Sequence, residues 1–256
     1  MKSWQKWLLL AGVFYLFFLA WQLPAELCWQ WVSPRLGQEA ARIKVDGISG
    51  TWSEGRMSSL QSGSLRLTDL TWSFRPLGLL TAQLKFSLAG KLQGKAPVST
   101  TLVLSPKRQG LLNLRGRVPA ALLGEALLPG LGLSGNLNAQ DLDLYLKQGR
   151  LASASGSLNW QDAGVSFPDP AELGNLSLQV ATESGIIAAT LKDQGGPLSI
   201  NVLSRLKPDG TYELNGELLP RGQLEPELSS LLRLFGKPSA DGRVLLRSNG
   251  RLAAIY

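Results

Sequence analysis

LRLTDLTWSF, Leu65–Phe74, decides how this chain is read. Leu65 and Leu67 share one parity, and Leu70, Trp72 and Phe74 share the other. Alternation of apolar and polar residues marks a strand with one buried face. The phase slips at Thr68-Asp69, which predicts a β-bulge or a break between strands. The same period of two recurs at Leu84, Phe86 and Leu88, and at Leu142, Leu144 and Leu146. It returns at Leu176, Leu178 and Val180, then at Tyr212, Leu214 and Leu218. Ser, Thr, Lys, Gln and Asp fill the positions between. One wet face and one apolar face belong to antiparallel sheets. Turn signals separate the runs: KPDGT at Lys207–Thr211, DQGGP at Asp193–Pro197 and SADGR at Ser239–Arg243. The expected fold class is all-β, mainly antiparallel twisted or curved sheet(s), with two short helices and one N-terminal transmembrane helix.

The first helix is expected in VPAALLGEALLPG, with Pro119 at its first position and Pro129-Gly130 at its exit. The second, in LEPELSSLLRLFGKP, places Leu224, Leu228, Leu231, Leu232 and Phe235 on one face before Gly236 and Pro238 stop it. An apolar helical stripe of this kind most often covers a sheet; the other use is a docking surface.

Ahead of the strands lies WLLLAGVFYLFFLAWQL, Trp7–Leu23, without a charge. It is just long enough to span a bilayer as a helix. Trp7, Leu8, Phe14, Phe17, Phe18 and Trp21 are its anchor residues, and Lys2 and Lys6 predict a cytoplasmic N-terminus. A cleaved signal is the rival, but AWQLPAELCWQW offers no small-x-small cleavage site. Glu26 and Leu27 before Cys28 argue against a lipoprotein signal. The expected organisation is a cytoplasmic tail at 1–6, a transmembrane helix at 7–25, a tether at 26–44 and an extracytoplasmic β-rich domain at 45–256. No later apolar run reaches spanning length, because Gly124, Glu125, Pro129 and Gly130 interrupt the longest.

The chain has 256 residues, 26 Lys plus Arg against 19 Asp plus Glu, and no histidine. The basic residues are scattered rather than massed, which argues against a nucleic-acid groove; attraction to an anionic membrane surface is the alternative use. Without histidine the commonest general base and metal ligand is missing. One cysteine allows no intrachain disulfide and no cysteine-based zinc site. No G-x-S-x-G elbow and no G-x-x-x-x-G-K-[ST] occurs, and no G-x-G-x-x-G leads from a strand into a helix. Asp141 and Asp143 are two apart in DLDLYL, the spacing of a solvated strand face rather than a glycosidase pair. No enzyme, no cofactor, no metal, no nucleic acid and no small-molecule substrate are expected.

VDGISGTWSEGR, Val45–Arg56, holds Gly47, Gly50 and Gly55 around Trp52. The glycines fit tight turns or close backbone approach. Trp52, like Trp72, fits a packing anchor, with a partner hot spot as the other use. GISG at Gly47–Gly50 and GLSG at Gly132–Gly135, each followed by a Gly-Ser-Leu step, suggest two related halves, about 45–130 and 131–256, against a chance recurrence.

VDGISGTWSEGRMSSL after a single anchor, then LTWSFRPLGLL, VPAALLGEALLPGLGLSGNLNAQ, GSLNWQDAGV and the long tail from Asp193, resembles the protein N family of the type II secretion system. The ordered set is specific although no single motif is. One departure is that Trp52 directly follows Thr51, where the family often has another apolar residue first. The resemblance implies a non-catalytic accessory component of the inner membrane, single-pass, with most of the chain in the periplasm. Its implied partners are other secretion components, the inner-membrane platform or the secretin. The alternative is a periplasmic, membrane-anchored lipid-binding or lipid-transfer module. Whether the chain's own Leu, Trp and Phe fill the apolar face discriminates between them.

Overall fold

In the computed structural model, residues 4, 7, 11, 12, 15, 18, 19, 21–36 and 43–251 are described, apart from 64, 107, 128, 129, 131, 148, 149, 167, 168 and 224. The described residues form thirteen strands: β1 (Ile43–Gly50), β2 (Glu54–Ser62), β3 (Leu65–Phe74), β4 (Leu84–Leu92), β5 (Ala96–Leu104), β6 (Gln109–Pro119), β7 (Gly132–Lys147), β8 (Arg150–Ser166), β9 (Pro170–Glu183), β10 (Ile186–Asp193), β11 (Leu198–Leu206), β12 (Thr211–Pro220) and β13 (Val244–Arg251). They make one sheet whose spatial order is the sequence order, every pair antiparallel. The sheet runs through the boundary near 130 without a break, because β6 pairs β7.

Turn chemistry sets this meander. Ser184 and Gly185 both have positive φ between the paired Glu183 and Ile186, the geometry of a two-residue hairpin. At Lys207–Thr211 the Gly210 N–H donates to Lys207 O (2.9 Å), and the Asp209 carboxylate accepts from Thr211 N–H.

The phase slip at Thr68-Asp69 is a bulge. Asp69 has φ +52°, and the β3–β4 register jumps between Thr68 and Thr71. Asn113, Asp141 and Asp162 repeat the device, each in the left-handed region beside a register shift. Asn and Asp tolerate that region because their short side chains bond locally. Here Asp143 accepts from Asn113 N–H (2.6 Å) and Asn175 accepts from Asp162 N–H (2.9 Å). Each bulge restores the alternation, so the apolar residues stay on one face. Leu158, Leu178, Leu191, Val202, Gly216 and Leu246 form one cross-strand row over β8–β13.

Three short α-helices lie against this sheet: α1 (Ala25–Val32), α2 (Ala120–Leu127) and α3 (Pro226–Phe235). Helix α1 occupies part of the stretch expected as a tether. Pro119, expected to open α2, instead ends β6 opposite Asn136, and the helix starts one residue later. In α3, Pro226 stands at the first helical positions, Glu227 in the first turn and Arg233 in the last, each favourable for its end. Leu228 and Leu232 of α3 are buried with Leu198, Ile200, Leu218 and Val244 in the larger core. A smaller core joins Leu92, Ala96 and Val118 to Leu122 and Leu123 of α2.

Candidate functional site

The glycine-rich stretch closes β1 and opens β2. Gly50 has φ +90°, where a side chain would be strained, and Thr51 N–H bonds Glu54 O at 2.8 Å. Gly47 also lies in the left-handed region, φ +64°, packed against Ser58. Gly55 does another job. It faces Trp72 directly across β2–β3, and a Cβ there would come within 2.8 Å of Trp72 Cε2. The indole lies over the missing side chain and donates from Nε1 to Thr51 O at 3.1 Å.

Trp52 sits in an aromatic cluster. Its ring is 5.6 Å from Trp21, 5.1 Å from Phe74 and 6.4 Å from Phe86. Trp52 N–H bonds Leu23 O, and Pro24 makes an isolated bridge to Thr51. The chain leaving the helical residues before Pro24 is therefore clasped to the β1–β2 turn. Helix α1 then lies over the apolar face, beside an open apolar pocket of about 300 Å³ with Cys28, Trp29, Ile48, Met57, Phe86 and Leu102 among its walls.

The other half of the apolar face holds a larger cavity, about 590 Å³, under α3. Trp160, Leu176, Leu191, Val202, Leu214 and Leu232 are among its walls, so its chemistry is aliphatic and aromatic. Trp160 is fixed by a bond from Nε1 to Ser134 O at 2.7 Å. Beside this cavity Asp193, its side chain 6 % exposed, accepts from Ile200 N–H (2.7 Å) and Gly195 N–H (3.0 Å) and pairs with Arg221 (2.6 Å). Burial pushes its carboxyl up. The two N–H groups and the Arg221 guanidinium more than offset this and hold it below the ordinary value. That knot ties β10, β11 and the end of β12 at the rim.

The opposite face of the sheet is polar. Arg56, Thr71, Ala89, Ser99 and Arg115 follow one another across β2–β6, and Arg115 pairs with Asp141. Asp143 is engaged by Asn113 N–H, so Asp141 and Asp143 serve the bulges. Among the described residues no group of three or more metal-ligating side chains converges.

The family model for Type II secretion system (T2SS), protein N matches residues 41–247. The chain belongs to the type II secretion system protein N family. It is 27 % identical over 268 residues to the type II secretion system protein N of Aeromonas hydrophila, covering 95 % of this chain and 98 % of the relative. To the Klebsiella pneumoniae protein of that name it is 28 % identical over 250 residues, covering 95 % and 94 %. To the Vibrio cholerae protein it is 27 % identical over 227 residues, covering 82 % and 85 %. No solved structure matches the chain. The protein N family match includes the glycine turn, both cavities' strands and α3.

Of the residues singled out from sequence, Trp21, Gly50, Trp52, Gly55 and Trp72 come together at the β1–β2 turn, with Gly47 further up β1. Leu228 and Leu232 meet the sheet far along the chain, while the side chains of Leu231 and Phe235 lie outside the described residues. Trp7 and Phe18 are helical and exposed; Leu8, Phe14 and Phe17 lie outside the described residues. Among the described residues no helix is long and apolar enough to cross a membrane. The Asp193–Arg221 knot and the leucines of the β3–β4 connection were not anticipated. DQGGP signals the turn holding Asp193, but nothing nearby in sequence points to Arg221, 28 positions on.

Proposed function

We propose that this chain is a membrane-anchored, non-catalytic accessory component of the type II secretion apparatus, whose β domain stands in the periplasm and contacts other secretion components during export of folded proteins. Family membership supplies the apparatus. The observation that carries a contact role is the open sheet. Among the described residues β1 and β13 each pair on one side only. Each edge offers backbone N–H and C=O groups to an extended segment of a partner, the platform or the secretin. An inner-membrane anchor is supported by Trp7 and Phe18, helical yet 70 % and 60 % exposed, which an apolar solvent would cover. Lys2 and Lys6 ahead of them favour a cytoplasmic N-terminus.

A second reading is favoured by the cavity under α3. About 590 Å³ of apolar-walled space falls within the usual range for a small-ligand site. On this reading the domain holds an acyl chain. Crosslinking the tagged, membrane-embedded chain in cells separates the two. Recovery of platform or secretin components is the expected result. Recovery of lipid or envelope-biogenesis proteins, with the secretion components expressed but absent, overturns it in favour of the carrier.

A further inference from the structure

The connection between β3 and β4 is a 3₁₀ turn, Pro76–Thr81, that holds its leucines out of the fold. Leu77 is 78 % exposed and Leu80 84 %, with Leu79 and Leu84 exposed beside them. This is not slack chain. Gly78 N–H bonds Arg75 O (3.1 Å), Ala82 N–H bonds Leu79 O (3.0 Å), Gln83 N–H bonds Gly78 O (3.0 Å), and the Thr81 hydroxyl donates to Gly78 O (2.9 Å). Gly78 is buried, and a Cβ there would lie 2.7 Å from Gln83 O. A closed, bonded turn thus displays large apolar side chains to solvent, the usual mark of an interaction surface.

Its position says what it meets. In an antiparallel meander alternate connections share one end of the sheet, so the β1–β2, β3–β4, β5–β6 and β7–β8 turns lie together. That end is also where the N-terminal helical residues arrive. Leu23 and Pro24 are bonded to Trp52 and Thr51 in the β1–β2 turn, and the Trp21 ring is 5.9 Å from Phe74, two residues before Pro76. The same end carries Arg75, Lys85, Arg108, Lys147 and Arg150. Of the eight Lys or Arg between Asp69 and Glu125, Arg75, Lys85 and Arg108 stand at this end, where Glu54 is the acidic residue of the β1–β2 turn. Exposed leucines ringed by basic residues, next to an anchor, complement an anionic lipid surface.

We infer that the Pro76–Thr81 turn is a second membrane contact: Leu77 and Leu80 dip into the leaflet from which the domain emerges, while Arg75, Lys85 and Arg108 meet lipid phosphates. The domain then stands on end, with the bilayer at the β1–β2 end and the α2 and α3 connections directed away. A protein partner would use the same leucines without lipid, and the test tells the two apart.

The inference rests on the anchored reading. Single cysteines are placed at Leu80 (Leu80→Cys), at Leu77 (Leu77→Cys) and, as a control in the β4–β5 turn at the opposite end, at Lys95 (Lys95→Cys), all in full chain carrying Cys28→Ala. Each is spin-labelled and reconstituted in phosphatidylethanolamine–phosphatidylglycerol vesicles. The expected result is that labels at 77 and 80 collide with oxygen and are shielded from a water-soluble nickel chelate, while the label at 95 shows the reverse. Chelate access at both 77 and 80 equal to that at 95, in protein that floats with the vesicles, overturns the inference and leaves the anchor standing. Failure of the full chain to float overturns both.

Discussion

Gly55→Ala tests whether Trp72 is seated as described. Gly55 and Trp72 are direct partners across β2–β3, and Gly55 also faces Gly50 in β1. Gly55 does not have a left-handed φ, so alanine meets no backbone penalty there. The obstacle is space. The new Cβ would lie 2.6 Å from Ser49 O and 2.8 Å from Trp72 Cε2. The indole must lift, and its 3.1 Å bond to Thr51 O is lost. Overpacking costs about 1–3 kcal/mol, and the broken half-buried hydrogen bond adds about 1 kcal/mol. The sum, about 2–4 kcal/mol, lowers Tm by roughly 4–16 °C for a chain of this size. The assay is near-ultraviolet circular dichroism of the detergent-solubilised chain during heating, repeated in a Trp72→Leu background. There the cost of Gly55→Ala should shrink by about 1 kcal/mol or more, because residues in contact couple. An unchanged Tm, or an equal penalty in both backgrounds, would refute the seating of the indole on Gly55.

Leu232→Ala removes a side chain 3 % exposed from the core under α3 and should destabilise by about 2–3 kcal/mol, the low end for such truncations, because a cavity already adjoins it; denaturant unfolding measures this. Asp193→Asn should cost about 1–3 kcal/mol, since Ile200 N–H, Gly195 N–H and Arg221 lose a charged acceptor. The folded carboxyl is held below its unfolded value near 3.8, so its contribution is full above that pH and is lost as pH falls through the lower folded value. The wild-type minus variant difference in stability should therefore narrow on acidification below pH 4. Lys207 and Glu213 pair at 2.5 Å with both side chains nearly half exposed, which raises the lysine pKa and lowers that of the glutamate, yet Lys207→Met should leave Tm nearly unmoved because solvent screens the pair.

The alternation in Leu65–Phe74 made the strand legible, and the slip at Thr68-Asp69 made its bulge legible. Both are local signals written in adjacent residues. The bulge at Asp162 was written in the same alphabet, with Leu158 and Trp160 on one parity and Ala163 and Val165 on the other. The number of sheets was not legible. Alternation says that each strand has an apolar side, and not which strand covers it, so one sheet and two halves read alike. Helix α1 was hidden because AELCWQWV directly continues the apolar run and straddles that run and the expected tether, although Pro24 and the Glu26–Gln30 spacing mark a new helix. Trp52 and Gly55 stood out in sequence, but Gly55's partner Trp72 lies 17 positions on and is joined to it by register alone. Leu77 and Leu80 follow the strand in LTWSFRPLGLL, and a sequence carries no mark of which leucines a turn leaves outside.

A sheet of this length has a built-in difficulty. Twisted open sheets rarely exceed about ten strands without curling, and this one has thirteen among its described residues, all with an apolar side turned the same way. The bulges at Asp69, Asn113, Asp141 and Asp162 bend the strands and keep the apolar side in phase. Helices α1, α2 and α3 cover parts of that side, each with a few side chains. Helices of eight to ten residues are too short to fill the whole length of such a groove, and cavities of about 300 and 590 Å³ remain beside α1 and α3. The architecture therefore leaves its unsatisfied surfaces in three places: the two edges, the cavities and the leucine-bearing end. On the readings proposed above, an edge would take a partner's strand, a cavity an apolar ligand, and the end a bilayer. Because the clasp at Trp52 fixes the end relative to the first edge, a domain seated on the membrane presents β1 at a set height, where a partner anchored in the same membrane would find it.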